Sequence, residues 1–223
     1  MCYNDEEMMT ERRRAFMLTK VQGKTLNGDI AVSRPPKLST LEKGILRWAV
    51  VNPEDKVLDA SIGSGVMADY LRRNLQCEVC GVSADMEDVR CARSRLQTCD
   101  IVYACQGDIP WMADAFDTVL YQLHAEEAEP FKCSLAEMSR VLKPGGQLVL
   151  GVPSLPGPLQ RLGRAWLSDS PEGRTFYNHE DVKQQLEQLA FQNITWQRAG
   201  VACGVLIAWK LKETVQTFLR NAS

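Results

Sequence analysis

From Leu38 onward the chain alternates short apolar runs with amphipathic helical stretches, and this rhythm constrains the fold more than any other feature. Ser39 or Thr40 can cap a helix whose apolar positions are Leu41, Ile45, Leu46 and Ala49, and Asn52-Pro53-Glu54-Asp55 stops it. Strands are expected at 56–60, 77–82, 101–105 and 116–122, with helices at 66–74, 87–96 and 130–142 between them. Lys143-Pro144-Gly145-Gly146 reads as a turn before a strand at 147–152. Strands alternating with helices predict a parallel sheet covered on both faces. Right-handed crossovers then bring the C-terminal ends of those strands to one edge, where ligands bind.

The rhythm breaks at 153–177, which holds Pro153, Pro156, Pro158 and Pro171 with three glycines, and a helical stretch at 159–167 between them. This exceeds an ordinary connection and reads as a lid. Arg161 and Arg164 on it suit either an acidic acceptor or a solvated helix face. Asn178 can cap a last helix at 180–189. Strands at 191–198 and 201–211, joined at Ala199-Gly200, form an antiparallel hairpin. Before the rhythm begins, residues 1–37 make an accessory N-terminal cap, in which Met8 to Thr19 can form a helix and Arg34-Pro35-Pro36 then ends any regular structure. Arg12-Arg13-Arg14 beside Glu6, Glu7 and Glu11 reads as a solvated face. The expected architecture is α/β: a doubly wound, Rossmann-like, seven-stranded, mostly parallel sheet with an antiparallel C-terminal hairpin. It forms a single domain at 38–223 with an N-terminal helical cap and a lid.

Charge and cysteine usage narrow the partners. The net charge is −2, from 26 basic and 28 acidic residues, so no global positive field attracts nucleic acid or an anionic membrane. The longest useful apolar run, Val201 to Trp209, is far shorter than the roughly 20 residues a membrane span needs. Asp5, Glu6, Glu7 and Glu11 argue against a secretory or transit segment and for the cytoplasm. The eight cysteines are then expected as reduced, buried core residues. Cys77-x-x-Cys80 has redox or zinc spacing, but residues three apart on a strand point to opposite faces, and no second pair exists, so no metal is expected. The aromatic residues Trp111, Trp166, Phe176 and Tyr177 suit an acceptor pocket or the core equally. His179 reads as a first-turn helix residue, and the oligomeric state is open, a homodimer being allowed.

The segment that carries chemistry is Val57-Leu58-Asp59-Ala60-Ser61-Ile62-Gly63-Ser64-Gly65. A carboxylate ends a strand, and a Gly-x-Gly turn opens a helix. Glycines let backbone approach a ligand closely. A helix N-terminus offers free N–H groups and positive potential.

Here the sequence resembles the class I S-adenosylmethionine-dependent methyltransferases, nearest the type 11, quinone-biosynthesis-like branch. That family places acidic-x-Gly-x-Gly-x-Gly after its first strand; Asp59, Gly63 and Gly65 match, and Ser61 replaces the first glycine. Gly81-Val82 with Cys91-Ala92-Arg93, Gln106-Gly107-Asp108 with Phe116-Asp117-Thr118-Val119, and the run from Glu137 to Gly146 follow in the family's order, over residues 38–211. The resemblance implies S-adenosylmethionine as cofactor. It implies that Asp59, Ala60, Ser61, Gly63 and Gly65 meet the methionine moiety. Ser83, Ala84 and Asp85 stand where the ribose carboxylate is usual, with Ser83 at the strand tip and Asp85 the candidate substitute. Gly107 and Asp108 would meet the adenine amino group, and Ile109 would pack on the ring. Gln122, Leu123 and His124 follow the fourth strand, where a methyl acceptor approaches. His124 is the candidate catalytic base because histidine titrates near neutrality.

The expected reaction is in-line methyl transfer to an O, N or C nucleophile of a small molecule. No basic stripe and no Asn/Asp-Pro-Pro-aromatic motif follow the fourth strand, where Tyr121-Gln122-Leu123-His124 stands. Two alternatives remain. Ser61 and Ser83 suit a non-catalytic, degenerate cofactor-binding protein. Gly63-Ser64-Gly65-Val66-Met67-Ala68 suits an NAD(P)-dependent oxidoreductase, against which stand the early Asp59 and the lack of an acid at 83.

Overall fold

A computed structural model describes residues 37–123, 131–154 and 179–212. The first helix, α1 (Thr40–Trp48), opens with a capping box. Ser39 Oγ accepts from the Glu42 N–H at 3.1 Å, and Glu42 Oε2 accepts from the Ser39 N–H at 2.6 Å. Two of the helix's free amides are satisfied in this way.

Then follow β1 (Lys56–Asp59), α2 (Val66–Leu75), β2 (Glu78–Ser83), α3 (Met86–Arg95), β3 (Asp100–Tyr103), β4 (Phe116–Gln122), α4 (Phe131–Val141), β5 (Leu142–Pro153), α5 (His179–Gln188), β6 (Phe191–Arg198) and β7 (Cys203–Lys210). The expected seven-stranded sheet forms, in the order β3-β2-β1-β4-β5-β7-β6. The first five strands pair in parallel, and β7 runs antiparallel to both β5 and β6.

The pleat sorts the core into two layers. Leu58, Cys80, Val82, Val119 and Leu148 face one side with Leu135 and Met138 of α4 and Val182 and Leu186 of α5. Val57, Val79, Leu120 and Val149 face the other, with Ile45 of α1, Leu71 of α2 and Val89 of α3. A strand buried on both faces needs consecutive apolar residues, which is why these strands read as continuous runs.

The structure corrects three local readings. Lys143-Pro144-Gly145-Gly146 is not a turn between elements but an irregular part of β5: Phe116 pairs with Leu142 and Thr118 with Gln147. The excursion is held by Lys143 Nζ, 2.8 Å from both Asp117 carboxylate oxygens, and by Gly145 at φ +80°. The hairpin turn spans 199–202, because the Ala199 and Gly200 amides both close on the Cys203 carbonyl at 3.1 Å. The cysteines divide: Cys77 and Cys80 are buried on opposite faces, but Cys91, Cys105 and Cys133 are exposed. All seven described cysteines are free thiols.

His179 opens α5 and stacks on Trp196 at 4.7 Å. The proposed cap by Asn178, the accessory helix before Lys37 and nearly all of 153–177 lie outside the described residues. Among the described residues no helix is long and apolar enough to cross a membrane.

Candidate functional site

Strand order reverses at β1. The chain proceeds outward through β2 and β3 on one side and through β4 and β5 on the other. Such a switch point leaves a crevice beyond the carboxyl ends of the strands. Asp59, Ser83 and Gln122 are the terminal residues of β1, β2 and β4.

Asp59 is 1% exposed. Its Oδ1 accepts from the Ser61 N–H at 3.2 Å, and its buried Oδ2 has no partner among the described residues. Burial raises its pKa from 3.8 to about 7; the Ser61 amide works against the rise and the charge of Glu42 adds to it. A buried carboxylate oxygen without a partner is costly, so this position suits a cationic or strongly donating ligand group.

The loop after Asp59 is fixed from three sides. The Ala60 amide donates to the Leu120 carbonyl at 2.8 Å and the Ile62 amide to the Val82 carbonyl at 3.2 Å. The Ile62 side chain fills a notch that exists because residue 81 is glycine; a Cβ there would collide with Ile62 Cδ1. Arg95 Nε, from the end of α3, donates to the Ser64 carbonyl at 2.8 Å. Gly63 and Gly65 sit at φ +46° and +75°, which side-chain-bearing residues rarely adopt. Gly65 is the N-cap of α2 and supplies no side-chain cap, so the helix amides keep their positive potential beside the buried carboxylate. A buried acceptor next to an uncapped helix N-terminus complements the ammonium and carboxylate of an amino-acid moiety, which the expected cofactor carries.

Ser61 and Ser83 have defined work. Ser61 Oγ accepts from the Gln122 amide at 2.7 Å and ties the loop to the end of β4. Ser83 is 6% exposed. Its Oγ accepts from the Asp85 amide at 3.1 Å and donates to Asp88 Oδ2 at 3.3 Å. Asp85 and Ala84 are exposed, and Asp85 Oδ1 caps α3 by accepting from the Glu87 amide at 2.7 Å. Asp88, in the first turn of α3, is the partner of the Ser83 hydroxyl that sequence reading did not single out.

The loop after β3 starts beside Ser83, whose carbonyl accepts from the Ala104 amide at 3.1 Å. Gly107 and Asp108 are exposed in it. Ile109 departs from expectation. Its side chain is 2% exposed and belongs to the core beneath the loop, which leaves little surface for an adenine ring. Its backbone is gripped instead. Glu137 Oε2 accepts from the Ile109 amide at 3.0 Å, and Arg140 donates to the Ile109 and Trp111 carbonyls at 2.8 Å each. The pair also bonds to itself at 2.7 Å, and Arg140 holds the Glu137 carboxyl below its usual pKa. These two residues of α4 were visible in sequence only as part of a motif. Trp111 packs edge-on against Phe116 at 5.5 Å, on the core side.

His124, Trp166, Phe176, Tyr177, Arg161 and Arg164 lie outside the described residues. Among the described residues no group of three or more His, Cys, Asp or Glu side chains is placed to hold a metal ion.

Comparison with known proteins bears on this crevice. Residues 58–150 match the family described as "Methyltransferase domain". A demethylmenaquinone methyltransferase of Corynebacterium urealyticum is 27% identical over 169 residues, covering 65% of this chain and 71% of the relative. A malonyl-(acyl-carrier protein) O-methyltransferase of Enterobacter lignolyticus is 30% identical over 139 residues, covering 60% of this chain and 53% of the relative. The solved structure of a Methanosarcina mazei S-adenosylmethionine-dependent methyltransferase shares the fold, with a TM-score of 0.61 at 20% identity, covering 73% of this chain and 95% of that one. A matching domain, methyltransferase relatives and a crevice with an unpaired carboxylate oxygen at the sheet's switch point agree: residues 58–150 form a methyltransferase domain, on the fold of S-adenosylmethionine-dependent methyltransferases.

Proposed function

We propose that this methyltransferase acts on a small-molecule acceptor, from a core at 38–223 with residues 1–37 as an accessory cap and the segment near 153–177 as a lid. When bound, S-adenosylmethionine supplies an electrophilic sulfonium methyl for in-line displacement by an O, N or C nucleophile. The observation that carries the placement is the unpartnered Asp59 Oδ2 beside the uncapped α2 N-terminus. Asp59 and the 60–65 loop hold the methionine moiety, and Gly107 and Asp108 bound the adenine end. The protein's main contribution is positioning, which accounts for several kcal/mol of barrier reduction when reacting atoms are held about 3–3.5 Å apart.

The acceptor side lies at the end of β4. Ser61 fixes the Gln122 amide there, and His124 follows Leu123 in the chain. His124 takes the acceptor's proton where the acceptor is a weak acid. A small acceptor is supported by the near-neutral charge balance of 26 basic and 28 acidic residues, and by relatives whose name specifies demethylmenaquinone.

The test is incubation with methyl-labelled cofactor and a cell extract, followed by mass spectrometry. Label in a low-mass product is expected; label confined to protein or nucleic acid overturns the small-molecule reading. His124→Ala is expected to lower turnover by about 10²–10⁴-fold with cofactor affinity unchanged, and unaltered turnover removes His124 from the reaction.

A further inference from the structure

We propose that the Ser154 hydroxyl is a specificity-determining contact for the methyl acceptor. It binds a carbonyl or hydroxyl oxygen on a part of that molecule away from the atom that is methylated. The proposal rests on the small-molecule reading above and deepens it.

Four buried side-chain polar atoms have no hydrogen-bond partner among the described residues: Asp59 Oδ2, Arg72 Nε, Ser154 Oγ and Gln185 Oε1. Arg72 and Gln185 belong to the helices α2 and α5. Asp59 ends β1, and Ser154 directly follows the last residue of β5. In the sheet β4 lies between those two strands. Asp59 and Ser154 thus flank the strand end where the acceptor is proposed to approach. Asp59 is accounted for by the cofactor; Ser154 is not.

The backbone of Ser154 is fixed. Its amide donates to the Ala202 carbonyl at 3.0 Å, one step beyond the Pro153–Cys203 pair, and so extends the ladder between β5 and β7. Leu148, Leu150 and Val152 of β5 lie in the core layer with α4 and α5, and the twofold period of a strand puts Ser154 on the same face. Leu123, whose amide donates to the Gly151 carbonyl at 2.9 Å, belongs to that layer too. The strand ends around Ser154 are therefore apolar on this face, and the residue itself is 1% exposed. A hydroxyl donates one hydrogen and accepts at two lone pairs, so it complements an oxygen on an otherwise apolar molecule. Left unpaired and buried, the hydroxyl is a cost, and a ligand oxygen removes that cost.

Position along the sheet decides what Ser154 governs. Gln122, at the end of β4, pairs with Gly151. Ser154 stands beyond that level by about 10 Å, at roughly 3.3 Å per residue of strand. Such a group meets the acceptor away from the transferred methyl. It selects which acceptor is held and leaves the rate of transfer alone.

The test compares wild type with Ser154→Ala and Ser154→Thr. Methyl-labelled S-adenosylmethionine is incubated with a dilution series of cell extract, and the labelled low-mass product is quantified by mass spectrometry. Ser154→Ala is expected to need about tenfold more extract for half-maximal rate, with the plateau unchanged. Ser154→Thr keeps the hydroxyl and is expected to stay near wild type. Calorimetric affinity for S-adenosylhomocysteine is expected to be the same in all of these proteins. Without ligand, Ser154→Ala is expected to raise Tm by roughly 2–4 °C, because an unpaired buried hydroxyl is gone. A merely structural serine gives the opposite pattern, a lower Tm with no change in extract dependence. Unshifted extract dependence, a lowered Tm or weakened S-adenosylhomocysteine binding in Ser154→Ala each overturns the proposal. Wild type that binds S-adenosylhomocysteine but labels no low-mass product refutes the small-molecule reading itself and the proposal with it, a failure recognisable by the missing product.

Discussion

Replacing Asp59 by asparagine isolates the cost of holding a carboxylate in the crevice before a ligand arrives. In the unfolded chain the group titrates near 3.8, and burial raises the folded value to about 7. Between these values the folded protein binds more protons than the unfolded one. Stability is therefore highest in acid and falls as pH rises through about 7, above which the loss is complete. The shift corresponds to about 4 kcal/mol in total, at 1.36 kcal/mol per unit. Of this, about 3 kcal/mol falls between pH 5 and pH 8. For a protein of this size that is roughly 6–12 °C in Tm.

In the Asp59→Asn variant the side-chain carbonyl accepts from the Ser61 amide as the carboxylate does, and no charge is present. The unpaired amide nitrogen of the new side chain costs about 1–3 kcal/mol, but that cost does not vary with pH. The assay is thermal unfolding of both proteins from pH 5 to pH 8 without ligand. The difference in Tm, variant minus wild type, is expected to grow by several degrees over that range. S-adenosylhomocysteine is expected to raise the wild-type Tm at pH 8 and leave the variant unmoved, since only the carboxylate pairs with the ligand's ammonium. Parallel pH profiles refute the reasoning, because they mean the carboxylate is solvated or already paired.

Other sites are open to equally direct tests. Gly81→Ala drives a methyl into Ile62 and is expected to cost about 1–3 kcal/mol and to weaken S-adenosylhomocysteine binding, read by melting and calorimetry; unchanged affinity means the Ile62 notch does not set the loop. Arg140→Lys removes the fork that holds the Ile109 and Trp111 carbonyls, and faster hydrogen exchange is expected at 108–111 while the β4 amides stay protected. Cys91, Cys105 and Cys133 are expected to react with a thiol reagent in the native protein, whereas Cys77 and Cys80, whose thiols burial pushes up to about 11, react only on unfolding.

The strand–helix rhythm was legible because the physics that buries a parallel strand on both faces also writes consecutive apolar residues, as in Val57-Leu58 and Val119-Leu120. The faces of Cys77 and Cys80 were legible for the same reason: the twofold period of a strand dictates them. What escaped depended on partners distant in sequence. Pro144-Gly145-Gly146 reads locally as a turn, and only Asp117, by holding Lys143, makes it part of β5. Only the family resemblance gave Ile109 a ligand-facing role; in the structure Glu137 and Arg140 clamp its backbone and its side chain lies in the core. Cys91, Cys105 and Cys133 lack a periodic apolar context, so composition alone misplaced them.

The two serines show why a departure from a motif is not by itself decay. A glycine at 61 would leave the Gln122 amide without its hydroxyl partner; Ser61 supplies that bond at 2.7 Å and joins the 60–65 loop to the end of β4, where the acceptor is proposed to approach. An acid at 83 would stand beside the Asp88 carboxylate, and two like charges on one site repel. Serine there instead donates to the Asp88 carboxylate at 3.3 Å. The costliest feature here is the buried Asp59, whose Oδ2 has no partner among the described residues, and the glycine loop, the Ile62 notch and the Arg95 tether are all built around it. A chain that binds nothing gains no stability from such a group, whereas a cationic or donating ligand group would relieve its cost.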